Sequence, residues 1–273
     1  MTSRPRSAAS RPLGVLAAAA ALLLALPLAS LLLRAPWTTM GSLLAGPAVG
    51  PALALSLWCA TLATLLSLLL GVPLAAWLAA DHGGVSSRLA DAVRALVTLP
   101  LVLPPVVGGV ALLLALGRMG VVGRWLDAWF GITLPFTTAA VVLSQVFVAM
   151  PFLVVSLEGA LRQRDPALEE AAETMGASAW QVFRYVTLPL AAPAVLAGTV
   201  LCWARALGEF GATITFAGNF PGRTQTMPLA VYLAMQNDPD TAVAMSVVLL
   251  GVCAAVLLLL RGRWVSSLSR LRG

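Results

Sequence analysis

The chain has 273 residues, 60% of them hydrophobic and only 10% charged, and its mean hydropathy is +0.93. That composition leaves too few polar side chains to clothe a water-soluble globule, so it excludes an ordinary soluble enzyme or nucleic-acid-binding domain despite a formal net charge of +6. A bilayer is the remaining solvent, and a helix needs about 20 mainly apolar residues to cross a hydrocarbon core of about 30 Å.

Six nearly charge-free stretches of that size predict an all-α polytopic membrane protein: residues 13–33, 51–80, 95–117, 135–157, 188–206 and 242–260. Residues 1–12 and 261–273 are read as tails around one membrane domain, 13–260, with a polar loop at 162–189. The first stretch follows Arg4, Arg6 and Arg11, as a cleaved secretory signal would. Its uncharged run is longer than a usual signal core and no Ala-x-Ala site follows, so it is expected to be retained as a span. Between the second and third stretches, Asp81-His82-Gly83-Gly84 has turn composition, and the only histidine is assigned no catalytic role.

The third stretch carries Pro104-Pro105 and Gly108-Gly109 among Leu101, Val102, Leu103, Val106 and Val107. Two readings stay open: a kinked, tightly packed helix, or an apolar constriction that closes by dewetting. The fifth stretch is broken by Arg205 and Glu209 and continues to about Ala217, which predicts a bent or interrupted helix. Cys59, Cys202 and Cys253 lie in or beside apolar stretches without paired spacing, so they are expected to pack rather than to form disulfides or bind metal.

Orientation follows from the arginines, because short cytoplasmic segments accumulate positive charge. With the N-terminus inside, twelve arginines fall on the cytoplasmic side and only Arg34, Arg118, Arg124 and Arg223 outside. Both termini and the 162–189 loop are then expected to face the cytoplasm, and the basic balance is explained by topology rather than by nucleic acid.

Within that loop, Asp165-Pro166 suits a helix start, with Asp as N-cap and Pro in the first turn. The helix that follows is expected to carry Leu168, Ala171, Ala172 and Met175 on one side and Glu169, Glu170 and Glu173 largely on others, before a sharp exit at Gly176. Ser178 with Gln181 predicts a second capped helix that carries Trp180, Val182, Phe183 and Val186 toward the membrane and is closed by Leu188-Pro189. Such a hairpin presents an apolar and acidic surface fit for a groove on a partner.

After the loop, Arg205 and Glu209 are four residues apart and share a helical face. Ionisable groups at membrane depth are costly, roughly 2.5–3.5 kcal/mol each on insertion scales, so the two are expected to pair. With Gly208, Gly211 and Ala212 the pair either fixes close packing or takes part in gating. Thr213, Thr215, Asn219, Thr224 and Thr226 supply hydroxyl and amide groups, and Phe220-Pro221-Gly222-Arg223 is a turn. A phosphate-binding loop needs a lysine, and the chain has none, so it is not expected to hydrolyse ATP itself. His-Glu-x-x-His and Gly-x-Ser-x-Gly motifs are also missing from the sequence.

Glu170-Ala171-Ala172, Gly176, Val186 and Leu188-Pro189 together resemble the coupling-loop pattern of the permeases of binding-protein-dependent ABC importers, with Val186 where that family usually has Ile. The run from Ala204 to Thr213, followed by Gly222-Arg223-Thr224-Gln225-Thr226 and Pro228-Leu229-Ala230-Val231-Tyr232, is similar to the molybdate permeases of the sulfate, thiosulfate and molybdate group. The resemblance implies the importer-permease fold, transport of molybdate or tungstate, and residence in the inner membrane. It implies as partners two copies of a cytoplasmic ATPase, a periplasmic or lipid-anchored molybdate-binding protein, and a second copy of this chain.

By the same resemblance, Glu169, Glu170, Ala171, Ala172, Met175, Gly176, Val186, Leu188 and Pro189 form the ATPase-coupling loop. Pro104, Pro105, Arg205, Glu209, Gly211, Thr213, Thr215, Asn219, Arg223, Thr224 and Thr226 are pathway or packing candidates. No cofactor or metal is expected in this chain; ATP and Mg belong to the ATPase. The competing readings are a sulfate or thiosulfate permease, a secondary transporter, which should show broken spans in matching halves, and a membrane enzyme, which should show a convergent acid, base or metal cluster.

Overall fold

The structure, a computed structural model, describes residues 10–80, 85–165 and 167–270; the predicted 81–84 turn with His82, the basic residues Arg4, Arg6 and Arg272, and Pro166 lie outside the described residues. The chain forms α1 (Ser10–Leu33), α2 (Met40–Leu44), α3 (Val49–Ala79), α4 (Val85–Val102), α5 (Pro105–Leu116), α6 (Gly123–Phe130) and α7 (Thr138–Arg162). After these come α8 (Ala167–Thr174), α9 (Ala179–Val182), a π-helical turn (Phe183–Thr187), α10 (Leu188–Leu207), α11 (Gly211–Phe216), α12 (Met227–Asn237) and α13 (Pro239–Arg270). No strand occurs among the described residues.

Among the described residues, five segments are long and apolar enough to cross a membrane: Leu13–Leu33, Val49–Ala79, Thr138–Arg162, Ala179–Leu207 and Pro239–Leu258. The third predicted stretch is not among them, because it is two helices. Pro104 precedes Pro105, and a residue before proline is pushed from the α region to the extended region. Pro104 obeys with φ −54° and ψ 130°, so α4 ends before it and α5 restarts with Pro105 in its first turn. The predicted continuous span over 95–117 is corrected accordingly. The fifth stretch is interrupted as expected, with Gly208 to Phe210 separating α10 from α11.

Helices α3, α7 and α10 pack side by side as the centre of the bundle. Small residues make this possible: Ala60 and Ala63 of α3, Ala140 and Ala149 of α7, and Ala206 of α10 are all fully buried there, beside Cys59, Leu153, Cys202 and Phe216. Without a hydrophobic drive between apolar helices in lipid, such close backbone approach is the main source of association. Cys59 and Cys202 are free thiols in this core, as the packing reading expects. A second cluster joins α3, α4, α7 and α10 near the 162–189 loop through Leu78, Ala90, Val97, Leu157, Leu161 and Ala191. A third joins α3, α12 and α13, and there the Met227 amide donates to Ser56 Oγ at 2.6 Å.

By contrast, α1 packs chiefly along α13, and none of its span is buried. The connection from α5 to α7 is held by Arg118, which pairs with Asp127 at 2.9 Å while Thr133 donates to the same carboxylate. That Arg118 hydrogen bond holds the Asp127 carboxyl below the usual carboxylate range.

Candidate functional site

Two polar interruptions stand out, one at the end of the bundle and one within it. The first is the 162–189 loop. Asp165 accepts from the Ala167 amide at 3.0 Å, capping α8 as the sequence predicts. Gly176 ends the excursion with φ +90°, a left-handed conformation open to glycine, while the Ala177 amide returns to the Ala172 carbonyl. Ser178 and Gln181 form a reciprocal capping box at the start of α9.

The faces of α8 differ in one respect from the expectation. Leu168, Ala171 and Met175 do share an exposed face, with Met175 83% accessible, but Ala172 turns inward and is buried. The reason is helical phase: Ala172 lies three residues after Glu169, on the side that meets the bundle. Glu169 accepts from Arg164 at 2.6 Å and from the Thr187 hydroxyl, whereas Glu170 is exposed.

Leu188-Pro189 does not close the second helix either. The chain runs from α9 through the π turn into α10, and the Leu188 amide bonds the Phe183 carbonyl five residues back. Pro189 has no amide to offer, and the wider π turn lets the helix pass that position without ending. Val186 lies within this turn, half-buried.

Beneath α8 is a cleft of about 700 Å³ bounded by Ala79, Asp91, Arg94, Arg162, Glu169 and Phe183, among others. Its wall contains a network that no sequence spacing announced. Glu158, 6% exposed, receives Arg94 of α4 at 2.7 Å and Arg162 of α7 at 3.0 Å. Both guanidinium groups also donate to the Leu78 carbonyl at the end of α3. One carboxylate thus ties the end of α7 to the middle of α4, beside the end of α3. Only the four-residue step from Glu158 to Arg162 was available as a signal; the partner on α4 is 64 residues away.

The second interruption is at the paired breaks. Arg205 and Glu209 form the predicted ion pair at 2.6 Å, with Glu209 1% exposed. Glu209 also accepts from the Ala212 amide at 2.7 Å and so caps α11. Helix α11 packs along α5 with almost no intervening side chain. A Cβ on Gly211 would stand 2.8 Å from Pro105 Cβ, and one on Gly109 would stand 2.7 Å from Thr215 Cβ and 2.9 Å from the Ala212 carbonyl oxygen.

The sequence-predicted pathway candidates are therefore brought to one region but face different ways. Pro104, Pro105, Val106 and Val107 are exposed at the apex of the break. Thr213 and Thr226 are fully buried with no hydrogen-bond partner for their hydroxyls, and Thr215 donates to the Gly211 carbonyl. Thr224 accepts from the Phe220 amide and closes the Gly222 turn, Asn219 is half-buried, and Arg223 is exposed. Gln145 of α7 is likewise fully buried with its amide unpartnered, a residue the sequence reading did not single out. No cluster of His, Cys, Asp or Glu with metal-binding arrangement occurs among the described residues.

Comparison with known proteins gives a consistent picture. Residues 71–267 match the family described as binding-protein-dependent transport system inner membrane component. The chain is 50% identical over 234 residues to the molybdenum transport system permease protein ModB of Mycobacterium tuberculosis, covering 86% of this chain and 87% of that protein. It is 42% identical over 221 residues to the ModB protein of Escherichia coli K12, covering 81% and 95%. Among solved structures, a bacterial alginate ABC transporter in complex with its pentasaccharide-bound periplasmic protein superposes with a TM-score of 0.71 at 19% identity over 90% of both chains. The MetNI methionine ABC transporter in an inward-facing conformation gives 0.60 at 19% identity over 76% of this chain and 90% of that one.

Proposed function

The chain belongs to the family of binding-protein-dependent transport system inner membrane components, and from that premise we propose that it is the permease subunit of an ABC importer that carries molybdate, and with it tungstate, into the cytoplasm. The observation that carries the mechanism is α8: an exposed apolar face of Leu168, Ala171 and Met175 beside exposed Glu170, held out from the bundle between two capped turns. A helix so presented is suited to a groove on a second protein. The chain contains no lysine for a phosphate loop, which supports placing ATP and Mg in separate ATPase subunits.

In this reading two copies of the chain meet on a twofold axis, two ATPase subunits dock beneath, and a molybdate-binding protein delivers substrate from outside. Both termini and α8 lie in the cytoplasm, as the arginine distribution supports. Closure of the ATPases around ATP moves the docked α8 helices, and the permeases rock between inward-open and outward-open arrangements. The exposed apolar apex at Pro104 to Val107 is suited to a constriction between the copies. Arg205 has its charge matched by Glu209, so it offers an oxyanion no strong trap, in keeping with weak, multiple contacts along a conducting route. Thr213 and Thr226 are covered in this arrangement and would meet an anion only after α11 and its surroundings part.

Uptake of labelled molybdate into proteoliposomes holding this chain with its ATPase and binding protein tests the assignment. ATP-dependent uptake blocked by excess tungstate but not by sulfate is expected. Equal block by sulfate would move the protein to the sulfate branch, and uptake without ATP would remove it from the importers.

A further inference from the structure

The two adjacent glutamates of α8 face different sides of the helix, and this division carries a consequence beyond docking. Glu170 is exposed on the outer side. Glu169 reaches inward, where a single carboxylate oxygen receives Arg164, just beyond the end of α7, and Thr187, the last residue of the π turn. Its ion-pair partner is only 20% exposed and Thr187 is 7% exposed, so the junction sits at the base of the bundle rather than in open solvent.

Mechanically, α8 is otherwise joined to the bundle by weak means. It is flanked by the turn at residues 163–165 and by the Gly176–Ser178 turn, and Ala172 is its one buried side chain. The cleft of about 700 Å³ leaves room on the side of α3 and α4. A push on α8 from outside would be absorbed in those turns and in that space unless a stiff link reaches the spans. Charge-assisted hydrogen bonds are the strong class of such links. Thr187 closes a π turn, an element that tends to sit at functional positions because its backbone can be rewound into the α register.

We propose that Glu169 is the positioning residue that transmits displacement of α8 to the roots of α7 and α10, through Arg164 and Thr187, while the outer face of the same helix does the docking. The proposal rests on the importer reading above. It separates two roles that the adjacent Glu169 and Glu170 would otherwise share.

The test uses the full transporter, reconstituted with its ATPase and binding protein, with molybdate uptake and ATP hydrolysis measured together. Glu169→Gln should keep the ATPase subunit bound on co-purification yet lower molybdate carried per ATP hydrolysed on the order of tenfold, the value of one charge-assisted contact. Exchanging the pair, Arg164→Glu with Glu169→Arg, should recover part of that ratio. Thr187→Ser should retain it where Thr187→Val lowers it, a contrast that a folding defect does not produce. An unchanged ratio in Glu169→Gln overturns the proposal, as does loss of the ATPase subunit from that variant, which would make Glu169 a docking residue. Glu170→Lys separates the two readings: if it keeps its ATPase subunit and its uptake, the docking assignment itself fails, whatever Glu169 does.

Discussion

The 162–189 hairpin and the paired breaks at Pro104 and Glu209 use the same vocabulary of proline, glycine, an Arg–Glu pair and a carboxylate at a helix start, yet they end in opposite surroundings. In the hairpin the apolar face of α8 is left open, Met175 being 83% accessible, beside exposed Glu170, while Glu169 reaches the bundle. At the breaks Glu209 is buried, and Gly109 and Gly211 let α5 and α11 approach closely. The first leaves its apolar face uncovered; at the second the ion pair is satisfied within the chain. Burial of the charge, rather than its presence, separates a surface made for a partner from a joint made for the fold.

The sharpest way to break this contrast is at Arg205. Its replacement by methionine would leave Glu209, 1% exposed, without its counter-charge, and breaking a buried pair from one side costs about 3–5 kcal/mol. Arg205 is 26% exposed, so the lower end is expected, read as a fall in thermal unfolding temperature of the detergent-purified protein. The double replacement Arg205→Met with Glu209→Leu should recover much of the loss, because an apolar pair of similar volume leaves no buried charge. A single replacement with no effect would show that the break is as loosely held as the hairpin.

A somewhat smaller effect is expected at Gly211. A valine there would place Cβ 2.8 Å from Pro105 Cβ and 3.2 Å from the Val106 amide nitrogen, and the backbone side of that contact has little room to yield. Overpacking of this kind costs about 1–3 kcal/mol. The same substitution at Gly159 of α7, where a Cβ meets nothing within 4 Å, should be far milder in the same assay.

How much of this was legible beforehand depends on how far apart the partners lie. The caps at Asp165 and Ser178, the left-handed Gly176 and the Arg205–Glu209 pair are local, within four residues, and all were readable from spacing. The break at Pro104 was present in the sequence as Pro-Pro, but hydropathy runs smoothly through it, and a count of apolar residues joined α4 to α5. The continuation past Pro189 was hidden by the rule that proline ends helices, since a π turn leaves no mark in composition. Glu158 with Arg94, and Glu169 with Thr187, span 64 and 18 residues and exist only because α4 meets α7 and α8 meets the π turn. A buried span and an exposed one also read alike: the windows of α1 and α7 have mean hydropathies of 2.5 and 2.3, yet 0% and 61% of them are buried. What marks α7 is its polar pair Ser144 and Gln145, both fully buried, which lipid disfavours.

The smallest expected effect lies back in the hairpin, at Ser178. Its hydroxyl accepts from the Gln181 backbone N–H while the Gln181 side-chain Oε1 accepts from the Ser178 backbone N–H, so Ser178→Ala removes half of a capping box at the start of α9. Losing such a cap costs about 1 kcal/mol. The helix it caps is only four residues long and leans on the π turn, so the loss should appear as faster amide exchange over residues 179–187 rather than as lower global stability. If the hairpin is built to complete itself on a partner, binding of the ATPase should restore the protection, because the docked state supplies from outside what the missing cap supplied from within. Restoration in the complex, with the Arg205 and Gly211 defects left uncorrected by the same partner, would set the two interruptions apart by the criterion that distinguishes them in the structure.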